Sequence, residues 1–317
     1  MSVPLIGPLF VKLKNKIKGK PNPHLSRAFL LARSVKRRKL EGTITFRSLE
    51  DLALACQKIA DRIPNTYDLI VGVPRSGLFP ATFLSLKFGR PLLAAGLADE
   101  VKPWLSGSSE RGVGQPGRIL VVDDSATTGA AVLKARDEVM KRYPGAVVHT
   151  AVIFAAPNTT SLVDYYAESV PQPRFFEWNL MHSKQGILAT DMDGVLCENC
   201  PPGVSDDEAA YVAWMKNAKA HLIPGFKIDF IVTNRFERHR ATTEAWLKEH
   251  GVDYGELLMS PRTQKPATNG HQIEHKVQRL CQIKPDMFWE SSEWEAENIW
   301  RQTRVPTLCT DEMMFYA

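Results

Sequence analysis

Twice in this chain an apolar run ends in carboxylates and gives way to small residues. Residues 119–130 read ILVVDDSATTGA and residues 186–195 read GILATDMDGV. A short apolar run bounded by turn residues fits a strand buried on both faces. Acids placed just past such a strand lie where an open α/β sheet binds ligands, beyond its carboxyl ends. Each signature sits inside its own series of alternating strands and helices, and 317 residues are enough for two domains.

Coarse reading of the first series predicts a helix near 48–62, a strand 67–73, a helix 77–88 and a strand 91–95. A long loop follows at 97–117, then a strand 118–122, a helix 128–142 and a strand 147–155. The loop holds four Gly, two Pro and three Ser without apolar periodicity. Loops of that length in compact domains are often functional lids. Residues 171–184 read as a junction. The second series starts at Gly186. It continues with a helix near 206–219, a strand 228–232, a helix 237–250, a short strand near 256–259, a helix 272–282, a strand 286–289 and a helix 292–301. No apolar run approaches the roughly 18–20 residues that span a bilayer, and no secretory signal is recognisable. Five scattered Cys point to a reducing cytosol. Cys197 and Cys200 form a CxxC with no second ligand pair nearby, so they read as ordinary loop thiols rather than a zinc site.

Charge is unevenly placed. Residues 1–40 hold 11 Lys/Arg and no acid, so the rest of the chain, with 29 basic against 35 acidic residues, is net −6. A segment such as VPLIGPLFVKLKNKIKGK mixes apolar and Lys positions. It suits an anionic membrane surface or a polyanion, or packs as a solvated arm on the acidic body. No aromatic-interleaved nucleic-acid module is present, so no nucleic-acid partner is expected.

The turn after the first acid pair has the physics of a phosphate cradle. Small residues opening a helix present free N–H groups and the positive end of the dipole. Ser125, Thr127 and Thr128 add hydroxyls, and Gly129 lets backbone approach closely. Asp123 and Asp124 can accept hydrogen bonds from vicinal hydroxyls of a sugar. This segment resembles the signature of type I phosphoribosyltransferases, which use 5-phosphoribosyl 1-pyrophosphate and Mg2+. The resemblance covers roughly residues 45–180. It implies that Asp123 and Asp124 hold the ribose hydroxyls and that Ser125, Ala126, Thr127, Thr128, Gly129 and Ala130 hold the 5-phosphate. VGVPRSG (71–77) is similar to the family's pyrophosphate loop, with Arg75, Ser76 and Gly77 against the leaving group and an unusual cis peptide there. Loop 97–117 matches the family's hood, with Lys102 or Arg111 reaching the pyrophosphate.

In the second signature, Asp191 ends the strand and Asp193 follows two residues on. One carboxylate can attack phosphorus while the other protonates the leaving oxygen. FIVTNR follows, and together these motifs resemble the haloacid dehalogenase superfamily of phosphatases over roughly 185–317. The resemblance implies Asp191 as nucleophile, Asp193 as acid/base, Thr233 and Asn234 as phosphate ligands, and a phosphate-neutralising Lys276, with Lys265 as rival. Mg2+ is implied at Asp191, Asp193 and Glu290. The fourth motif departs from the family's usual aspartates: it reads FWESSEWE, so Glu290, with Glu293 or Glu295, takes their place. Only about 30 residues, Cys197 to Lys227, separate the first motif from the next strand, room for a minimal cap.

The expected fold class is therefore α/β: two Rossmann-like domains with mainly parallel sheets. A basic arm (1–44) precedes a phosphoribosyltransferase fold (45–180) and a haloacid dehalogenase fold with a minimal cap (185–317). The pair implies transfer of phosphoribose to an acceptor and removal of its 5-phosphate. The arrangement resembles fused proteins that add ribofuranose to bacterial polysaccharides. The favoured acceptor is a hydroxyl on a glycan or lipid-linked glycan, with the protein cytoplasmic and its arm at the inner face of the membrane. The alternatives are a nucleobase phosphoribosyltransferase fused to a nucleotidase for salvage, and a regulator that senses phosphoribosyl pyrophosphate. Trp289, Trp294 and Trp300 are expected in core or interdomain packing. His221, His239, His250, His271 and His275 are expected on the surface or in the cap.

Overall fold

The computed structural model describes residues 44–96, 114–184, 186–204, 208–264 and 269–317. The expected basic arm, the hood with Lys102 and Arg111, and Lys265 lie outside the described residues. The described residues all belong to one compact unit.

Two parallel sheets organise it. The first is built from β2 (Leu69–Gly72), β3 (Leu92–Ala94), β4 (Arg118–Ala126), β5 (Val147–Ala155) and β6 (Tyr165–Ser169), in the order β3-β2-β4-β5-β6. Its strands are almost wholly apolar because helices cover both faces: α1 (Leu49–Ala60), α2 (Leu78–Phe88) and α3 (Ala130–Arg142). Ser48 caps α1 through a reciprocal pairing with Asp51, which fixes where that helix starts. The second sheet takes the order β10-β9-β8-β11-β12-β13. Its strands are β8 (Leu188–Thr190), β9 (Ile228–Phe236), β10 (Tyr254–Ser260), β11 (Met287–Glu290), β12 (Thr307–Cys309) and β13 (Met314–Tyr316). All pair in parallel except the β12–β13 hairpin. Its helices are α4 (Glu208–Asn217), α5 (Arg240–Glu249), α6 (Asn269–Ile283) and α7 (Glu293–Thr303).

Both sheets have a switch point. From β2 the chain passes to β3 on one side and then to β4 on the other; from β8 it passes to β9 on one side and later to β11 on the other. A crevice opens beyond the strand ends where the winding direction reverses. Asp123 and Asp124 on β4, and Asp191 after β8, stand at those two places.

The structure corrects several expectations. β4 does not stop at Val122: it pairs with β5 through Ala126, so both acids lie within a strand that overshoots β2. Residues 171–184 are more than a junction. They contain β7 (Arg174–Phe176), which pairs in parallel with β1 (Thr45–Arg47). Trp289 is buried, but Trp294 is 44% exposed and lies outside the hydrophobic cores of the described residues. His239 and His275 are buried rather than superficial; burial pushes the His275 pKa down to about 4.

Candidate functional site

At the first centre, α2 starts immediately after the loop 74–77, whose Pro74–Arg75 peptide is cis. Gly77 is pressed against the acid pair: a Cβ there would stand 2.7 Å from Asp123 Oδ1. The loop and the acids are therefore neighbours across β2 and β4. Arg75 is exposed, Ser76 half-buried and Gly77 buried. On the other side, Ser125 is half-buried and Ala126 buried, and Thr127, Thr128 and Ala130 face solvent. Gly129 takes φ +76° as the N-cap of α3, a left-handed conformation that glycine tolerates without Cβ strain. The Ala130 amide donates to Thr128 Oγ1 at 3.4 Å. The six residues thus wrap the start of a 13-residue helix.

Asp123 and Asp124 are buried side by side. Burial, then the neighbouring Asp124 charge, pushes the Asp123 carboxyl up to about 9, which keeps it neutral near pH 7. Asp124 has a partner that the sequence did not reveal: Trp178 Nε1 donates to its Oδ2 at 2.7 Å. Arg174 was also missed. Its buried guanidinium donates to the carbonyls of Val170 (2.7 Å) and Ala126 (2.8 Å) and to Thr127 Oγ1 (3.4 Å). Burial lowers the Arg174 pKa and the Asp124 charge offsets part of that effect.

The second centre gathers at the ends of β8, β9 and β11. Lys276, buried on α6, donates to Asp191 Oδ2, Glu290 Oε2 and Glu295 Oε2, each at 2.7 Å. Burial pulls the Lys276 pKa down, but the three carboxylates outweigh it and hold the ammonium well above its usual range. Burial raises Asp191 to about 6 and Glu290 to about 8, with Lys276 opposing both shifts. Gly194 adopts φ +84° beside Ser291, where a Cβ would overlap the Ser291 side chain. Thr233 is buried and Asn234 half-buried on the part of β9 that extends past β8.

Asp193 is turned elsewhere. The guanidinium of Arg235 brackets it, Nη2 to Oδ1 at 2.6 Å and Nε to Oδ1 at 3.0 Å. Burial lowers the Arg235 pKa, but the Asp193 charge more than compensates and the net shift is upward. Arg235 also donates to Cys197 Sγ at 3.4 Å and lies 5.2 Å from the Trp214 ring on α4. Arg235 follows Thr233 and Asn234 in the same motif, and that adjacency was the signal for it. Cys197 is a free thiol buried against Asp193.

Among the described residues, no group of three or more His, Cys, Asp or Glu stands in metal-holding geometry. The three-carboxylate set Asp191, Asp193 and Glu290 is thus not assembled: the Asp193 carboxylate is committed to Arg235. The donor chemistry of the remaining pair still suits Mg2+, which is commonly held by one or two carboxylates with several waters retained. Asp191, Glu290 and Glu295 surround one ammonium, leaving an excess of acidic groups that a divalent cation would offset.

Residues 47–189 match the phosphoribosyl transferase domain family. This part of the chain has a phosphoribosyltransferase-type fold, and the match supports phosphoribosyl transfer in general. It ends within two residues of Asp191 and does not bear on the rest of the second sheet. No curated protein matches the chain. Among solved structures it is similar to a purine phosphoribosyltransferase from Pyrococcus horikoshii, at 24% identity over 45% of this chain and 98% of that one, TM-score 0.34. It is also similar to the Helicobacter pylori xanthine-guanine-hypoxanthine phosphoribosyltransferase, at 17% identity over 44% and 93%, TM-score 0.34. A hypothetical protein from Neisseria gonorrhoeae with bound ppGpp gives 20% identity over 44% and 91%, TM-score 0.33. Among the described residues, no helix is long and apolar enough to cross a membrane.

Proposed function

We propose that the chain is a bifunctional enzyme that transfers 5-phosphoribosyl from phosphoribosyl pyrophosphate to a glycan hydroxyl and then removes the 5-phosphate. The observation that carries this reading is the presence, in one compact unit, of two acid-bearing switch points: Asp123 and Asp124 faced by the loop 74–77, and Asp191 bonded to buried Lys276.

In the transfer step the C1–pyrophosphate bond breaks and the acceptor oxygen bonds to C1 from the opposite face, so an α donor gives a β-ribofuranosyl product. The electron pair of the broken bond leaves with pyrophosphate, and the acceptor hydroxyl loses its proton. The amides of Arg75, Ser76 and Gly77 meet the leaving group's developing charge. Residues 125–130 hold the 5-phosphate, and Asp123 and Asp124 hold the ribose hydroxyls. The Mg2+ carried with the donor would supply further charge neutralisation.

In the second step Asp191 attacks phosphorus, and the sugar 5-oxygen leaves with a proton. Asp193 can deliver that proton only by parting from Arg235. Water then cleaves the aspartyl phosphate, releasing orthophosphate and restoring Asp191. Lys276, Thr233 and Asn234 orient the phosphate, and Asp191 with Glu290 would hold Mg2+, which shields phosphate charge from the attacking carboxylate. Domain limits of 45–180 and 185–317, with residues 174–178 belonging to the first centre, follow from this reading. The basic arm gives a lipid-linked acceptor a surface to approach at the inner face of the membrane.

The test is to trap the intermediate. Asp191→Asn protein, phosphoribosyl pyrophosphate, Mg2+ and a panel of terminal-sugar acceptors should yield a phosphoribosylated glycan, while wild type yields the ribosylated one. Nucleotide formation from a nucleobase panel, with every glycan inert, overturns the acceptor assignment in favour of salvage. Failure to release pyrophosphate with any acceptor overturns transfer itself.

A further inference from the structure

Trp178 lies in a segment that shows no motif, yet it is held on two sides, by ring stacking and by a hydrogen bond. Its indole stacks on Phe176 (4.9 Å between ring centres, 13° between planes) and lies 6.0 Å from Phe154 at 24°. Phe154 and Phe176 stack on each other at 5.6 Å. Three rings in register leave the indole little freedom to rotate, and its N–H points at Asp124 Oδ2. Trp178 is joined through β7 to Arg174, which donates to Ala126 O and Thr127 Oγ1 at the turn beyond the acids. One short segment therefore fixes both the second acid and the start of the small-residue turn.

We infer that Trp178 is a positioning residue of the transfer step: its N–H holds the Asp124 carboxylate in the orientation that receives the ribose hydroxyls of phosphoribosyl pyrophosphate. The inference rests on the transferase reading above. The physical logic is that two adjacent buried carboxyl groups resist carrying charge together. One of them must be singled out. The groups facing Asp124 do so: the Trp178 N–H donates to it, the Arg174 guanidinium on β7 lies within electrostatic reach, and Asp123 beside it takes up the proton. A hydrogen bond to an ionised acceptor is among the stronger ones. Trp178 thus fixes the Asp124 carboxylate as an acceptor for the ribose hydroxyls and leaves the Asp123 side against Gly77.

Calorimetric binding of phosphoribosyl pyrophosphate with Mg2+ to the full-length protein tests this across pH 5.5–8.5 (roughly the range over which neighbouring carboxyl groups of this kind exchange protons). Trp178→Phe keeps one aromatic ring beside Phe176 and removes the N–H donor together with the second ring of the indole. It should weaken binding about tenfold, the scale of one lost hydrogen bond to a charged group. It should also move the acid limb of the affinity profile to higher pH, a change that a general loosening of the fold does not produce. Hydrolysis of ribose 5-phosphate at the second centre should stay at the wild-type rate, which reports that the variant is folded. Wild-type affinity and an unmoved profile in Trp178→Phe overturn this inference alone. Absence of binding by the wild-type protein overturns the transferase reading and the inference with it.

Discussion

Lys276 carries the charge balance of the second centre. Its ammonium stands 2.7 Å from three carboxylate oxygens in a region almost closed to water. Removing one member of a buried ionic cluster leaves charge without compensation, at a cost of about 3–5 kcal/mol. Lys276→Met is expected to lower the urea unfolding midpoint accordingly and to abolish release of phosphate from ribose 5-phosphate; a stable, active variant contradicts the arrangement. Asp123 makes the opposite kind of prediction. Its folded-state pKa of about 9 lies above the ordinary carboxylate value. The folded state therefore binds a proton that the unfolded state gives up. Its contribution to stability is fully present at acid pH, below the unfolded value, and is lost as pH rises through about 9. Asp123→Asn removes that slope. Thermal melts of the variant should gain roughly 3–6 °C near pH 8 over wild type and converge with it near pH 4.

Elements bring these side chains together, and they do so through strand ends of unequal length. β4 continues past β2 and carries its acids beyond the end of that neighbour while still paired with β5, and β9 continues past β8 and carries Thr233, Asn234 and Arg235. The apolar-run-then-acid pattern made both acid-bearing places legible in the sequence, but not the end of β4, which was expected at Val122 and runs on through Ala126 with both acids buried. Trp178 and Arg174 were not legible. Arg174 lies on a strand three residues long and Trp178 in the single 3-10 turn Glu177–Asn179 after it, both too short to display a period, and the partners of Trp178 and Arg174 lie 54 and 48 residues earlier. The short strands β12 and β13 escaped for the same reason. Helices were easier, since each supplies several turns of pattern; α1, α3 and α7 begin and end within about two residues of the positions expected. Gly77 illustrates what an element needs at one point. α2 starts so near β4 that a methyl group at 77 meets Val73 O and Asp123 Oδ1. Gly77→Ala is expected to lower phosphoribosyl pyrophosphate affinity by more than tenfold (the cost of a shifted loop against a buried acid, on the order of 1–3 kcal/mol). Ribose 5-phosphate hydrolysis should continue unchanged, so a matched loss of both activities would argue against a local effect.

At the scale of the whole molecule, β7 joins the two sheets through its side-chain alternation. Arg174 and Phe176 turn toward the first centre, whereas Phe175 between them packs into the core of the second sheet with Ile44, Leu180 and Leu188. Period-two alternation allows one strand to serve two cores. Phe175 also meets Phe46 of β1 (4.8 Å between ring centres) and Phe315 of β13 (5.0 Å, edge to face). The aromatic group thus takes one ring from β1, one from β7 and one from the hairpin at the end of the second sheet. A consequence is that neither sheet should unfold alone: opening the second exposes Phe175 and Phe46 and removes the anchor of the strand that holds Arg174 and Trp178. Truncating a buried Phe to Ala costs about 3–5 kcal/mol. Phe175→Ala should therefore move the urea midpoints of both activities, phosphoribosyl pyrophosphate binding and ribose 5-phosphate hydrolysis, downward together. Coincident midpoints in wild type and variant support one cooperative unit. If hydrolysis is lost at lower urea while binding keeps its wild-type midpoint, the halves are independent bodies and the shared strand does not couple them.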